Sequence, residues 1–152
     1  MKLASSGFSF VTLHLIKLCV GVDTIAELAD WQKKRAAQRK KDGGPRDIMH
    51  ITRMTPKRAD ELLKGGSIYW VIKGQIAVRQ RLRELRAVTR GGVPHCALVL
   101  DQKLVPTERR NHRAFQGWRY FEPDDAPKDL RARDKVALPE SLRAELTLLG
   151  LI

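Results

Sequence analysis

A glycine-rich turn, Arg90–Pro94 (RGGVP), separates two apolar runs and limits the folds open to this chain more than any other feature. The run after it, His95–Asp101, has a strong strand pattern. The run before it, Ile76–Thr89, also fits a helix, but a hairpin across the turn explains more of the sequence. We therefore predict two antiparallel strands. Because side chains alternate along a strand, one face of the first strand would carry three arginines: Arg79, Arg81 and Arg83.

Other β-prone runs are bounded by turn residues and predict four further strands. They are Phe10–Val20, Arg46–Arg53, Ser67–Lys73 and Gly117–Phe121. The segment Leu104–Arg113 contains Pro106 and is predicted to be a basic loop. Strands follow one another through hairpins as often as through helices. The sequence therefore predicts an α+β fold with a mixed, mainly antiparallel sheet and about three helices.

Helix signals occur at three places in the sequence. Thr24 and Glu27 form a capping box, which predicts a helix from there to about Lys41. Thr55-Pro56 predicts a second helix that ends at Gly65-Gly66. A closing helix is predicted over Pro139–Leu149, with three leucines buried: Leu142, Leu146 and Leu149.

The length of 152 residues is typical of one domain that buries its own core. Residues 1–10 are expected to form a loose extension, and residues 11–152 a single domain. Only two cysteines are present, Cys19 and Cys96, and we expect both to be buried free thiols in a reducing compartment. No secretory signal and no apolar run long enough to span a bilayer is evident, so the cytoplasm is the expected location, without membrane contact.

The chain carries 29 Lys plus Arg against 17 Asp plus Glu, a net charge of +12. Residues 122–145 hold seven acids and five bases, so their net charge is −2 and the rest of the chain carries +14. Such a field favours an acidic partner, with nucleic acid the first candidate. The second half of the first helix is rich in Lys and Arg, which suits either a solvated helix end or a binding surface.

Patterns that indicate metal or cofactor sites are missing from the sequence. No zinc spacing and no phosphate-binding glycine loop is found, so neither a metal nor a cofactor is expected. His112 is the one weak candidate for a catalytic base, because it lies among Arg109, Arg110 and Arg113. Surrounding positive charge would disfavour its protonated form.

Basic and aromatic residues alternate in the second half of the chain. Guanidinium groups bind phosphates, and flat rings stack on unpaired bases. Trp70 is expected to be core, whereas Trp118 and Tyr120 alternate with a charged residue and are candidates for stacking. The predicted nucleic-acid-binding residues are Lys73, Arg79, Arg81, Arg83, Arg109, Arg110, Arg113, Trp118, Arg119 and Tyr120.

Four segments resemble a bacterial family known only as a domain of unknown function, number fourteen eighty-nine. They are LHLIKLCVG (13–21), TRMTPKRADELL (52–63), GSIYWVIKG (66–74) and FQGWRYFEPDDAP (115–127). The resemblance covers about residues 12–150 and implies one domain but no activity. More loosely, the order of elements is similar to the PUA-like superfamily with its ASCH and EVE branches. That resemblance implies a small β-barrel with a basic cleft for RNA or modified bases, containing Lys73, Arg79, Arg81 and Trp118.

Three functions stay open on the sequence. The first is a module that binds RNA or another nucleic acid through an arginine and aromatic cleft. The second is an enzyme that acts on RNA or a nucleotide, with His112 as base. The third is an interaction protein that docks its basic face on an acidic partner.

Overall fold

The computed structural model describes residues 12–131 and 138–152. Within them lie six strands and three helices, and a short 3-10 turn at Pro123–Asp125. The strands are β1 (His14–Leu18), β2 (Ile48–Thr52), β3 (Ser67–Ile72), β4 (Gln75–Arg90), β5 (Val93–Asn111) and β6 (Trp118–Phe121). The helices are α1 (Ile25–Lys41), α2 (Ala59–Leu62) and α3 (Glu140–Leu148). The loose extension expected for residues 1–10 falls outside the described residues.

All six strands form one mixed sheet in the order β2-β5-β4-β3-β1-β6. Only β1 and β3 pair in parallel, and every other neighbouring pair is antiparallel. The parallel pair needs a crossover, which α1, β2 and α2 supply. The α+β class and the mainly antiparallel sheet are therefore confirmed.

The sheet is strongly curled but open. The ring of His50 on the edge strand β2 meets the ring of Trp70 on β3 edge-on, with 5.3 Å between centroids, although β5 and β4 lie between these strands in the sheet. In the described part of the chain β2 and β6 are the two edges and do not pair with each other. The closed small barrel is not confirmed.

The predicted hairpin forms, and it is longer than expected. β4 runs for 16 residues and β5 for 19, joined across Gly91-Gly92. The basic loop predicted at Leu104–Arg113 was wrong, because β5 continues through it to Asn111. Pro106 lies opposite Val78, beside a register shift between Ile76 and Val78. Proline is tolerated at such an irregularity, where the regular ladder is already broken.

Helix α1 begins as predicted. The Thr24 hydroxyl accepts from the Glu27 amide at 3.1 Å, and the Glu27 carboxylate accepts from the Thr24 amide at 3.1 Å. The helix buries Leu28, Gln32 and Ala36 against the sheet.

Helix α2 is a single turn that starts at Ala59, later than the Thr55-Pro56 signal predicts. Tertiary hydrogen bonds explain the delay. The amides of Lys57 and Arg58 donate to the Tyr120 hydroxyl at 2.9 and 3.1 Å, so they are held in a loop against β6.

Helix α3 lies where predicted, but the buried leucine stripe was wrong. Arg143 and Thr147 are its buried residues, whereas Leu142 and Leu149 are 39% and 64% exposed. The contacts that dock this helix are polar. The side-chain amide of Gln75 donates to the Ala144 carbonyl at 2.8 Å, and the side-chain amide of Asn111 donates to the Thr147 carbonyl at 3.2 Å.

Apolar side chains pack on both faces of the sheet. The larger cluster lies beneath α1 and includes Leu15, Leu28, Trp70, Val78 and Leu98. A smaller cluster on the opposite face contains Ile16, Tyr69, Val71, Ile76 and Phe121. The α1 face is therefore the side on which helix, curled sheet and edge strand meet.

Candidate nucleic-acid interface

Helix α1 positions one row of side chains beside the edge strand β2. Trp31, Arg35 and Gln38 follow one another at spacings of four and three residues, so they lie on one side of the helix. Two adjoining cavities follow this row. We call the first the indole pocket and the second the arginine groove, and together the α1 groove.

The indole pocket has a volume of about 250 Å³. Its polar and aromatic lining comes from β1, the residue that follows β1, α1, β2 and β3. Trp31 is 43% exposed at the mouth, whereas Trp70 is 2% exposed at the base, as expected for a core residue. The residues that give the pocket its chemical character are Lys17, Cys19, Trp31, Gln32, His50 and Trp70.

A closed network of amides fixes the indole of Trp70. Its Nε1 donates to the side-chain oxygen of Gln80 at 3.1 Å. Gln80 and Gln32 exchange hydrogen bonds at 2.8 and 2.9 Å, and Gln80 also donates to the Asp101 carbonyl at 2.7 Å. Because a buried amide without partners is costly, this network holds α1 against the sheet and keeps the ring in one orientation.

Burial sets the charge of the pocket. It lowers the pKa of His50 to about 4, and Lys17 and Arg35 add to the shift, so the imidazole is neutral at pH 7. Burial also raises the pKa of the Cys19 thiol to about 11, against the opposing effect of Lys17. A neutral thiol is a poor nucleophile. Cys19 is therefore a poor candidate for a nucleophile, and Lys17 is the basic side chain in the lining of the pocket.

The arginine groove has a volume of about 360 Å³ and continues along the same side of α1. Arg35 and Arg39 line it from the helix, and Arg90 from the end of β4; Gln38, Asp42, Ile51 and Val88 complete the lining. Arg35 also lies over the Trp31 ring, 4.8 Å from its centroid. This contact joins the groove to the indole pocket.

Acids neutralise two of the three arginines that were predicted to share one face of β4. Arg79 binds Asp129 through two hydrogen bonds of 2.7 Å, and Arg83 lies 3.8 Å from Asp101. Arg81 is exposed.

Trp118 and Tyr120 have structural contacts. The Trp118 Nε1 donates to the Met54 carbonyl at 2.8 Å, and the Tyr120 hydroxyl accepts from two amides of the same loop. Their rings meet edge-on at 5.0 Å, and both pack against the core beneath α1. They hold β6 to the loop before α2.

The remaining predicted residues lie near the far end of β5. The Arg109 side chain is 4% exposed and pairs with Glu140 at 2.5 Å. Arg110 donates to the Asp125 carbonyl, and Arg119 lies over the Phe115 ring at 4.7 Å. Arg113 and Lys73 are exposed, and Lys73 has a positive φ of 51° in the β3–β4 turn. These residues do not join the α1 groove.

His112, the weak candidate base, packs edge-on against Phe115 at 5.3 Å. Its Nδ1 lies 2.8 Å from the Arg113 carbonyl, an acceptor that places the ring proton on Nδ1. Across residues 12–131 and 138–152, no group of three or more His, Cys, Asp or Glu side chains is placed to hold a metal ion. In the same ranges no helix is both long and apolar enough to cross a membrane.

Sequence reasoning missed Lys17, Trp31 and His50. Lys17 and His50 lie in β-prone runs that otherwise indicate core, and only the curl of the sheet brings them together. Trp31 did leave a signal. Trp31 is not on the buried side of the helix formed by Leu28, Gln32 and Ala36, and it lies one helical turn before Arg35.

A family model described as a protein of unknown function, DUF1489, matches residues 15–152. No curated protein and no solved structure matches the chain. The PUA-like superfamily is accordingly not confirmed.

Proposed function

The chain belongs to the DUF1489 family, whose description states no activity, and from the chemistry of the α1 groove we propose that it binds single-stranded nucleic acid, most naturally RNA. One unpaired base enters the indole pocket, and the neighbouring phosphates lie along the arginine groove. The observation that carries the proposal is the stacking of Arg35 on Trp31, at the junction of a ring-lined pocket with a groove lined by three arginines.

The base side of the proposal rests on the indole pocket. Unpaired bases are recognised by stacking on aromatic or guanidinium planes and by hydrogen bonds to their edges. Trp31 and Arg35 supply such planes at the mouth. Lys17 supplies a cationic donor, and the neutral His50 has ring nitrogens for a donor or an acceptor. A duplex offers no unstacked base, so single strands fit this pocket best.

The phosphate side rests on the cations around the second half of α1. Between residues 33 and 46 the sequence has seven bases and a single acid: Lys33, Lys34, Arg35, Arg39, Lys40, Lys41 and Arg46 against Asp42. Lys34 pairs with Asp30, and the Arg39 guanidinium donates to the Asp47 carbonyl. The side chains of Lys33, Lys40 and Lys41 are exposed on the helix. Of the two explanations of this basic run, we favour the binding surface.

The proposed interface differs from the cleft expected from sequence. Arg81 on β4 and Arg119 on β6 are exposed outside the α1 groove and are the rival site, which we call the strand surface; Arg113 is exposed in the loop after β5. We also propose the cytoplasm as the location, in keeping with the free thiols of Cys19 and Cys96.

Binding to a labelled, unstructured RNA of about fifteen nucleotides, followed by fluorescence anisotropy at low salt, tests the proposal. Trp31→Ala removes a stacking plane and should weaken binding about 5- to 150-fold, since a stacked base contributes roughly 1–3 kcal/mol. Arg35→Ala and Arg90→Ala should each weaken RNA binding relative to the wild type. The matched surface variants Arg81→Ala and Arg119→Ala should bind RNA like the wild type.

Two results would overturn the proposal. If the wild-type protein does not bind RNA at 50 mM salt, the function is wrong. If Arg81→Ala and Arg119→Ala lose affinity while the groove variants keep it, the interface is the strand surface instead. A duplex of the same sequence should bind more weakly than the single strand.

A further inference from the structure

A second cavity, of about 400 Å³, lies between the far end of β5 and helix α3. Its cationic side chains come from two elements: Arg109 and Arg110 from β5, and Arg143 from α3. The rest of its lining is largely apolar, from Pro127, Leu130, Leu138 and Ile152. We call it the α3 cavity; none of its lining residues belongs to the α1 groove.

Arg143 is the unusual member of this lining. The residue is 8% exposed, yet in the part of the chain that the structure describes its Nε donates to no acceptor. One terminal nitrogen donates to the Leu138 carbonyl. Buried guanidinium nitrogens are normally hydrogen-bonded, because the loss of water is otherwise uncompensated. Within residues 12–131 and 138–152, the buried Arg143 guanidinium therefore has one N–H group without an acceptor.

Arg109 is a second guanidinium in the lining and, as a donor only, cannot accept a hydrogen bond from Arg143. Arg109 donates to the side-chain oxygen of Gln75 at 3.0 Å and to the carboxylate of Glu140 at 2.5 Å, so the Glu140 carboxylate is paired with Arg109. The same carboxylate accepts from the Ile25 amide at 3.0 Å. Burial lowers the pKa of Arg109, Glu140 opposes that shift, and the nearby Arg143 lowers it further. The two buried cations thus repel each other across the cavity wall.

Arg110 extends the positive side of the cavity to its rim. It donates to the Asp125 carbonyl with one nitrogen, and a guanidinium has further donors to offer. Glu108 is the opposing charge in the lining, and it is exposed. The lining thus combines three guanidinium groups, from β5 and α3, with four apolar residues, a composition suited to an amphiphilic anion.

We propose that the α3 cavity binds a small organic oxyanion, in which a carboxylate or phosphate group contacts Arg143 and Arg110 and an apolar body packs on Leu130, Leu138 and Ile152. This site is separate from the α1 groove, and its ligand is not nucleic acid. Charge-assisted bonds to the oxyanion satisfy the Arg143 Nε, and the apolar lining selects against inorganic phosphate.

The test is calorimetric titration of the full chain in phosphate-free buffer with four probes: hexanoate, hexyl phosphate, inorganic phosphate and hexanol. Hexanoate or hexyl phosphate should bind, and the stronger of the two identifies the head group. Inorganic phosphate and hexanol should each bind at least tenfold more weakly, because each lacks half of the contacts.

Variants locate the site. Arg143→Met and Arg110→Ala should each weaken the better probe at least tenfold, whereas Arg113→Ala, an exposed arginine outside the lining, should not. If Arg143→Met does not fold, Leu130→Trp, which fills the cavity, takes its place beside Arg110→Ala. The proposal fails if no probe binds, if hexanol or inorganic phosphate binds as tightly as the organic anions, or if Arg110→Ala and the cavity variant bind like the wild type. RNA affinity, measured separately, should be unchanged in Arg110→Ala.

Discussion

Single side chains in the α1 groove owe their properties to partners far away in sequence. His50 and Lys17 are separated by an entire helix, yet both line the indole pocket, and the charge of Lys17 helps to lower the pKa of His50. The residue types were visible in the sequence, but their shared environment was not. For the same reason Trp118, which alternates with Arg119, suggested an exposed ring, and in the fold its Nε1 binds Met54.

Two partly buried histidines predict a pH dependence of stability. Burial lowers the pKa of both His14 and His50 to about 4, with Arg79 contributing at His14. In the unfolded chain a histidine takes up its proton near pH 6.5. Between pH 6.5 and 4 the unfolded state therefore binds more protons. The stability from these two groups is complete above pH 6.5 and is lost as the pH falls towards 4.

Substitution of His50 tests this linkage. His50→Gln removes one titrating group, so the free energy of unfolding should vary less steeply between pH 6.5 and 5, by up to about 1.4 kcal/mol per pH unit. Urea denaturation at several pH values measures the slope. An unchanged slope in His50→Gln, or in the double variant with His14→Gln, would show that these imidazoles are not held neutral by the fold.

Helices and strands formed where local sequence patterns predict them, unless contacts with residues distant in the sequence favoured another conformation. The capping box of α1 and the glycine turn of the β4–β5 hairpin both form as expected. The start of α2 does not, because Tyr120 captures the amides of Lys57 and Arg58. The segment after Leu104 is a strand in spite of Pro106, because β4 is long enough to pair with it.

The junction between α2 and β3 predicts a severe effect of one added methyl group. A Cβ at Gly66 would lie 2.3 Å from the Leu62 carbonyl oxygen and 2.4 Å from that of Leu13. Both atoms belong to the backbone and cannot rotate away. Gly66→Ala should therefore lower the free energy of unfolding by about 3 kcal/mol, at the upper end of overpacking effects.

Gly92 is the matched control for that substitution. It has a φ of +77° in the hairpin turn, and a Cβ there would meet open space. Gly92→Ala should cost only the backbone strain of a left-handed residue, about 1 kcal/mol. Chemical denaturation of the two variants gives the comparison, and a larger loss in Gly92→Ala would contradict the packing argument.

Across the whole molecule, the net positive charge does not show which arginines can contact a ligand. The net charge of +12 sets a field that attracts any polyanion. Several guanidinium groups are already paired with carboxylates, as in the salt bridges Arg79–Asp129 and Arg109–Glu140. The α1 groove brings Arg35, Arg39 and Arg90 together beside an exposed indole, and this arrangement makes the proposed interface local.

The salt dependence of RNA affinity tests whether individual groove arginines contact phosphates directly. Each phosphate neutralised on a single strand contributes about −0.7 to the slope of log affinity against log salt. Three groove arginines predict a slope of about −2 or steeper for RNA binding. Arg35→Ala and Arg90→Ala should each make it shallower by about 0.7, as measured by anisotropy between 50 and 200 mM salt. Equal slopes in the wild type and both variants would mean that the arginines touch no phosphate.

The sequence by itself determined the α+β class, the hairpin, the capped first helix and the excess of positive charge, because each follows from composition or from residues close together in the chain. The tertiary structure decided which charges are paired, which tryptophan is exposed and where the cavities lie. Pairing of Arg79 with Asp129, or contact of His50 with Trp70, depends on how far the sheet curls and on the strand order. Those are properties of long-range packing, in which many weak contacts compete and no local pattern records the outcome.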